Sequence, residues 1–367
     1  MGRYLLEMNF QQRAYWKYRI SEHIKTFLKK HPKVNYLQRV LRHFNDATFV
    51  KNVMTIGHDP NCLHLESYGE KHPDKNIFFI EVNGAMGAMY RYMLYALWEA
   101  ERLGFTPVIK FHDSCIYRET HLIDGTDNAF EYYFSQPTDV SLSDACESSR
   151  VFFLELPHFS RIEHDLGNLN PDAPAGYVVN EEYLKTLAGV ARKHLHLNEK
   201  TKRFFENSFW KLLPQGESEK KVLGVHVRGT DFALQWEGHP NMVTVEDFFS
   251  AIDDVLDKEG GFTHIFLATD DNTRLEAFKE RYGERLLYYE DVHRGEGVRL
   301  AILDASDREN THYLDGLEAL RDMYTLAACD GLIAGLSQIS ISARIRRLAD
   351  YGPFEYMKIL DKGLYRS

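Results

Sequence analysis

The chain holds 367 residues, of which 44% are hydrophobic and 27% charged, with a formal net charge of -10 at pH 7. Domains commonly hold about 100 to 200 residues, so this length implies two of them with a cleft between. The composition excludes a largely disordered chain, the acid excess argues against a nucleic-acid surface, and no segment approaches the roughly 18 uncharged apolar residues of a membrane span.

Met1 to Phe10 is too short in apolar run for a secretory leader, which reads as a cytoplasmic protein with peripheral membrane association left open. Residues 1 to about 60 are charged and aromatic, with helical patches at Gln12 to Lys29 and Val34 to Phe44. The pattern sharpens at Ile77-Phe78-Phe79-Ile80-Glu81-Val82, a short apolar strand. Asn83-Gly84-Ala85-Met86-Gly87-Ala88 then leads into a helix to Leu103, in which Met89, Met93, Leu94 and Leu97 share a face and Gly104 suits the C-cap. Pro107 to Phe111 is the next strand, completing a βαβ unit. A glycine turn opening a helix offers free amides to an anion, although such turns also serve tight packing.

Between Asp113 and Asp172 the texture is looser, and the Tyr132-Tyr133-Phe134 cluster reads as a packing face sooner than a sugar platform. Residues 179 to 212 are helical and amphipathic, and Pro214 to Ser218 is a polar break. We therefore divide the chain into an N-terminal domain (1–210), a second domain (211–350) and a tail (351–367) packing back on the first domain. Cys62, Cys115, Cys146 and Cys329 lack metal-ligand spacing and read as buried free thiols.

The second half alternates strand and helix. Val222-Leu223-Gly224-Val225-His226-Val227-Arg228 is a buried strand, and Val245 to Lys258 a helix with Thr244 as its N-cap. Strands follow at Thr263 to Thr269, Leu286 to Tyr289 and Gly331 to Ala334, with helices at Asn272 to Tyr282, Gly316 to Cys329 and Ile339 to Ala349. This alternation implies an α/β fold with a doubly wound parallel sheet. Polar groups then gather at the carboxyl ends: His226 and Arg228, Thr269-Asp270-Asp271, and Ser337-Gln338. Any one of them could be structural, but three on one edge define a nucleotide crevice. Arg228 is suited to a phosphate, Ser337 and its helix to a second phosphate oxygen, and the carboxylates to a base or ribose. The Asp270-Asp271 pair opening a helix reads as a cap, not a metal site.

His226-Val227-Arg228-x-Thr230-Asp231, then Leu267-Ala268-Thr269-Asp270-Asp271, then Asp322 and Asp330 to Gln338, resembles the rhizobial chitin-oligosaccharide and animal N-glycan core α1,6-fucosyltransferases over about residues 220 to 345. The resemblance implies a GT-B architecture, two Rossmann-like domains facing a cleft, and an inverting, metal-independent transfer of fucose from GDP-fucose to a glycan or glycolipid hydroxyl. Carried over by position, Arg228 holds the β-phosphate, His226 and Asp322 the guanine, and Ser337 and Gln338 the diphosphate. Gly84, Gly87, Thr269 and Asp271 complete the donor site. Glu237 is the candidate general base, at a spacing one residue different, with Asp231 the alternative and Trp236 and His239 on the acceptor side. Asp231 also suits a structural role holding Arg228. Gly229 stands where the animal enzymes carry a second Arg, so another GDP-sugar, or a catalytically silent GDP-sugar-binding protein, remains open. A nicotinamide oxidoreductase fits worse, since the first crossover lacks G-x-G-x-x-G.

Overall fold

The computed structural model describes residues 63–154, 176–213 except 178, 221–230, 238–296 except 257, 259 and 260, and 308–366, together with Phe27 and Val34. Two compact units divide the chain, Met1–Glu66 and Ser67–Ser367. In the first, the described residues include the short strand β1 (Leu63–Glu66). The helical patches read at Gln12 to Lys29 and Val34 to Phe44 lie largely outside the described residues, as does Cys62.

The second unit contains two parallel sheets. Its first βαβ crossover follows the apolar pattern closely: β2 (Ile77–Val82) leads through the glycine turn into α1 (Met86–Leu103), and β3 (Thr106–Phe111) pairs alongside β2 in parallel. No β-branched residue interrupts α1, and Met89, Met93, Leu94 and Leu97 are buried at helical spacing. Gly104 ends it at φ 67°, in the left-handed conformation that glycine adopts without a Cβ clash. The loose 113–172 segment, read as loops and short helices, holds the short helix α2 (Leu142–Ala145) and also a strand that was not evident, β4 (Val151–Leu154), parallel to β2 on its other side. Four residues are too few to show a period. Tyr132, Tyr133 and Phe134 are buried and stack among Phe130 and Tyr313, so this cluster is a packing face.

Helices α3 (Glu181–His194) and α4 (Glu199–Leu212) precede the second sheet. It consists of β5 (Val222–Val227), β6 (His264–Thr269), β7 (Leu286–Leu287), β8 (Gly331–Gly335) and β9 (Tyr356–Leu360) in the order β7-β6-β5-β8-β9, with every neighbouring pair parallel. Leu223, Val225, Val227, Ile265 and Leu267 face one core with Phe248 and Ile252 of α5 (Val245–Leu256) and Leu275 and Phe278 of α6 (Asn272–Tyr282). Each such side chain contributes about 1.5 to 3 kcal/mol on full burial. On the opposite face α7 (Thr311–Ala328) lies so close that a Cβ on Gly224 would sit 3.2 Å from Leu326. Thr244 caps α5 as expected, accepting from Asp247 N at 3.2 Å.

Three readings are corrected. Residues 351 to 367 are not a tail on the first domain: Tyr356–Leu360 adds a fifth strand beside β8, where its backbone groups find partners. Cys146 is exposed, while Cys115 and Cys329 are buried. Helix α7 starts at Thr311, five residues before Gly316, because its cap comes from elsewhere in the chain. Asn310 supplies no side-chain cap; instead the buried Glu119 carboxylate accepts from Tyr313 N at 3.0 Å. Glu119→Ala should therefore lower stability by about 1 to 2 kcal/mol in denaturant unfolding. Glu119→Gln, which keeps an acceptor oxygen, should recover most of that.

Candidate nucleotide site

The chain lays β6 and β7 on one side of β5, then returns to place β8 on the other. The order thus reverses between β5 and β8, and in open parallel sheets that switch point, beyond the carboxyl ends, is where ligands enter. Register aligns the ends: Val227 pairs with Thr269, and His226 with Ala334. Every residue of β5 is buried, and Arg228 follows as it gives out.

Arg228 is held by Asp270, Nη1 to Oδ2 at 2.7 Å. The same carboxylate accepts from Gly229 N at 2.8 Å and Thr230 Oγ1 at 2.7 Å, so one side chain from β6 sets the whole turn after β5. Burial raises the Asp270 pKa, but the Arg228 charge and these hydrogen bonds outweigh it and hold the carboxyl below its usual range. The sequence offered Asp231 for this duty; Asp231, Trp236 and Glu237 lie outside the described residues. Sequence reasoning placed Asp270 among the strand-end polar groups but read it with Asp271 as a helix cap; its pairing with Arg228 was not foreseen.

Gly229 has a steric reason. A Cβ there would stand 2.5 Å from the Asp271 Cβ. Asp271 itself caps α6, its Oδ1 accepting from Thr273 N at 2.8 Å. A second Arg at 229 would require Asp271 or the turn to shift. Gly229→Ala should cost about 1 to 3 kcal/mol by overpacking, measurable as a lower denaturation midpoint with an unchanged slope.

Across the switch point, α8 (Gln338–Asp350) opens with a capping box in which Ser337 accepts from Ser340 N at 3.0 Å. Ser337 Oγ also meets His226 Nδ1 at 3.2 Å. Burial, then the neighbouring Arg228 charge, push the His226 pKa down to about 4, so its ring is neutral at pH 7. The glycine turn of the first sheet arrives at the same place. A Cβ on Gly87 would lie 2.7 Å from Gln338 C and Ile339 N, and Ser342 Oγ donates to Gly87 O at 3.0 Å. Gln338 Oε1 accepts from Arg91 Nη1 at 2.6 Å, which turns its amide toward the first sheet's helix. Two helix N-termini thus converge, neither with an acidic residue in its first turn. Gly84, at φ 147°, makes the bend before α1.

Asp322 stands further along α7, beyond these contacts. Burial raises its pKa to about 7 against the lowering pull of Arg294 and Arg321, and its Oδ1 has no hydrogen-bond partner. Arg294 links it to the strand ends by donating from Nε to Thr269 O at 3.1 Å. His239 packs its ring 6.0 Å from that of Tyr177.

These elements define a class: an α/β protein with two parallel sheets and a cluster of polar groups at the strand-order reversal of the second. No family model matches the chain, and no curated protein matches it. Among solved structures it is similar to NodZ alpha-1,6-fucosyltransferase co-crystallised with GDP, with a TM-score of 0.47 and 16% identity over 75% of this chain and 92% of that one. The fucosyltransferase NodZ from Bradyrhizobium gives 0.47 and 16% over 75% and 93%. POFUT1 in complex with GDP gives 0.41 and 12% over 79% and 99%.

Proposed function

We propose that the chain is an inverting, metal-independent glycosyltransferase of GT-B architecture that moves fucose from GDP-fucose to a glycan or glycolipid hydroxyl. The observation that supports it most directly is the Arg228 guanidinium, held by Asp270 at the switch point of the second sheet where the N-termini of α1 and α8 converge. That arrangement suits a diphosphate: planar donors, a fixed charge and the positive ends of two helix dipoles.

The chemistry follows from the leaving group. As the acceptor oxygen bonds to the anomeric carbon, the bond from that carbon to the β-phosphate oxygen breaks and its electron pair leaves with GDP. Arg228 stabilises the growing negative charge. The acceptor proton passes to Glu237, the base we assign on the acceptor face, with Asp231 as the alternative. Asp270 is a positioning residue for Arg228. Because Asp270 is paired with Arg228 and Asp271 caps a helix, the cation at the phosphate in this reading is Arg228. Asp322 receives guanine, whose N1-H and exocyclic amine match the two oxygens of one carboxylate, a pair that adenine does not present.

Calorimetric titration with GDP, UDP and NAD in magnesium-free buffer tests the site. GDP alone should bind; tight NAD binding would replace this reading with an oxidoreductase. GDP binding without turnover across a panel of GDP-sugars would identify a silent binding protein.

A further inference from the structure

The residues that open α8 form a longer row of hydrogen bonds than a helix cap requires. Ser340, 1% exposed, completes the capping box: its N donates to Ser337 Oγ at 3.0 Å and its Oγ accepts from Ser337 N at 3.2 Å. Glu or Gln is the usual residue at that position, where it serves as an acceptor. A hydroxyl also brings a proton. Ser340 Oγ lies 3.0 Å from two carbonyl oxygens, those of Gly335 and Ser337, and donates there. Its lone pairs are left for Ser337, whose Oγ stands 3.2 Å away. Ser337 Oγ in turn meets His226 Nδ1 at 3.2 Å, so the row runs from a backbone carbonyl to the imidazole at the end of β5.

The His226 ring is neutral at pH 7 and carries one proton. Two proton arrangements satisfy the row. In one, His226 Nδ1-H donates to Ser337 Oγ, Ser337 O-H to Ser340 Oγ and Ser340 O-H to a carbonyl, so that each bond polarises the next. In the other, Ser337 donates to Nδ1 and the ring proton moves to Nε2. Among the described residues no group bonds Nε2. An unpaired N-H costs more than an unpaired lone pair in a residue only 6% exposed, which favours the first arrangement.

We propose that Ser340, acting through Ser337, fixes His226 as the Nδ1-H tautomer, so that Nε2 presents a lone pair to the nucleotide and selects guanine by accepting from its exocyclic amine. The inference rests on the GDP reading above. There Asp322 takes N1-H and one amine hydrogen, and the second amine hydrogen is the donor left for His226. Ser340 touches no substrate and is a positioning residue for specificity.

Nitrogen-15 NMR of histidine-labelled protein at pH 7 reads the tautomer, with His226→Gln identifying the signals. The unaltered chain should show a protonated Nδ1 and an unprotonated Nε2. Ser340→Ala removes the acceptor of the Ser337 proton, which then turns to Nδ1, so the pattern should reverse. Ser340→Cys, close in size and a weak acceptor, should move the same way. Calorimetry with GDP and with inosine diphosphate, which lacks the exocyclic amine, reads the consequence. The preference for GDP should fall about 10-fold in both variants. Loss of the cap alone would weaken both nucleotides alike and leave that ratio unchanged. A protonated Nε2 in the unaltered chain, or a tautomer unmoved in both variants, overturns the inference. If the unaltered chain binds no GDP, the functional reading fails and the specificity role with it. If it binds GDP and the ratio stays the same in both variants, the inference fails alone.

Discussion

Arg228→Ala should lower turnover about 1,000-fold, the loss typical of removing a principal donor to a developing oxyanion. It should also weaken GDP binding about 100-fold, as charge-assisted hydrogen bonds contribute roughly 1.5 to 3 kcal/mol each. The competing explanation is structural, since Arg228 also pairs with Asp270 and its removal leaves that carboxylate without its cation. Both side chains are about a quarter exposed, 26% and 25%. The stability lost should therefore stay below the roughly 3 to 5 kcal/mol of a broken, fully buried pair. The double variant Arg228→Ala with Asp270→Asn decides between them. Neutralising both should restore stability by calorimetry while turnover stays lost. Recovery of turnover in the double variant would reduce Arg228 to half of an ion pair. Arg228→Lys should fall between, since it retains the charge and loses the planar fork.

GDP affinity should also depend on pH, through Asp322. Burial holds its free carboxyl near pH 7, and Oδ1 lacks a partner. If the ionised carboxylate accepts from guanine, the bound form must have the lower pKa. Binding is then strongest above pH 7 and weakens as pH falls through it, approaching tenfold per unit. Below pH 7 each GDP bound should release up to about one proton, visible as a buffer-dependent enthalpy. Asp322→Asn should remove the part of the pH dependence centred near pH 7 and leave the shallower part that comes from GDP's own terminal phosphate, which titrates at about pH 6. Affinity that rises on acidification would mean that the neutral acid donates to the base instead, and an affinity flat from pH 5 to 8 would remove Asp322 from the site. His226 should contribute little to such a profile, since its pKa near 4 lies below that range.

The apolar strands and their polar ends were legible in the sequence because burial imposes a simple pattern. Val222 to Val227 and His264 to Thr269 are buried throughout, and continuous apolar runs of this length are the signature of strands covered on both faces. Helix α1 and its Gly104 cap were equally plain, since spacing and a left-handed glycine are local properties. β4 and β9 emerged only with their partners, β9 because Lys358 interrupts the apolar run of an edge strand that is only partly buried, whereas the equally short but fully buried β8 was legible.

Chemistry at the site divides in the same way. That an arginine stands at the end of one strand and a serine opens the helix after another is written in residue order. Which carboxylate holds the arginine is not, because Asp270 comes from a neighbouring strand and reaches Arg228 only once β5 and β6 pair in register. Gly229 is a glycine for the sake of Asp271, Gly87 for the sake of Gln338, and α7 begins at Thr311 because of Glu119. Local pattern specifies what a segment can become, whereas close approach and remote capping depend on distances that exist only after the chain has folded.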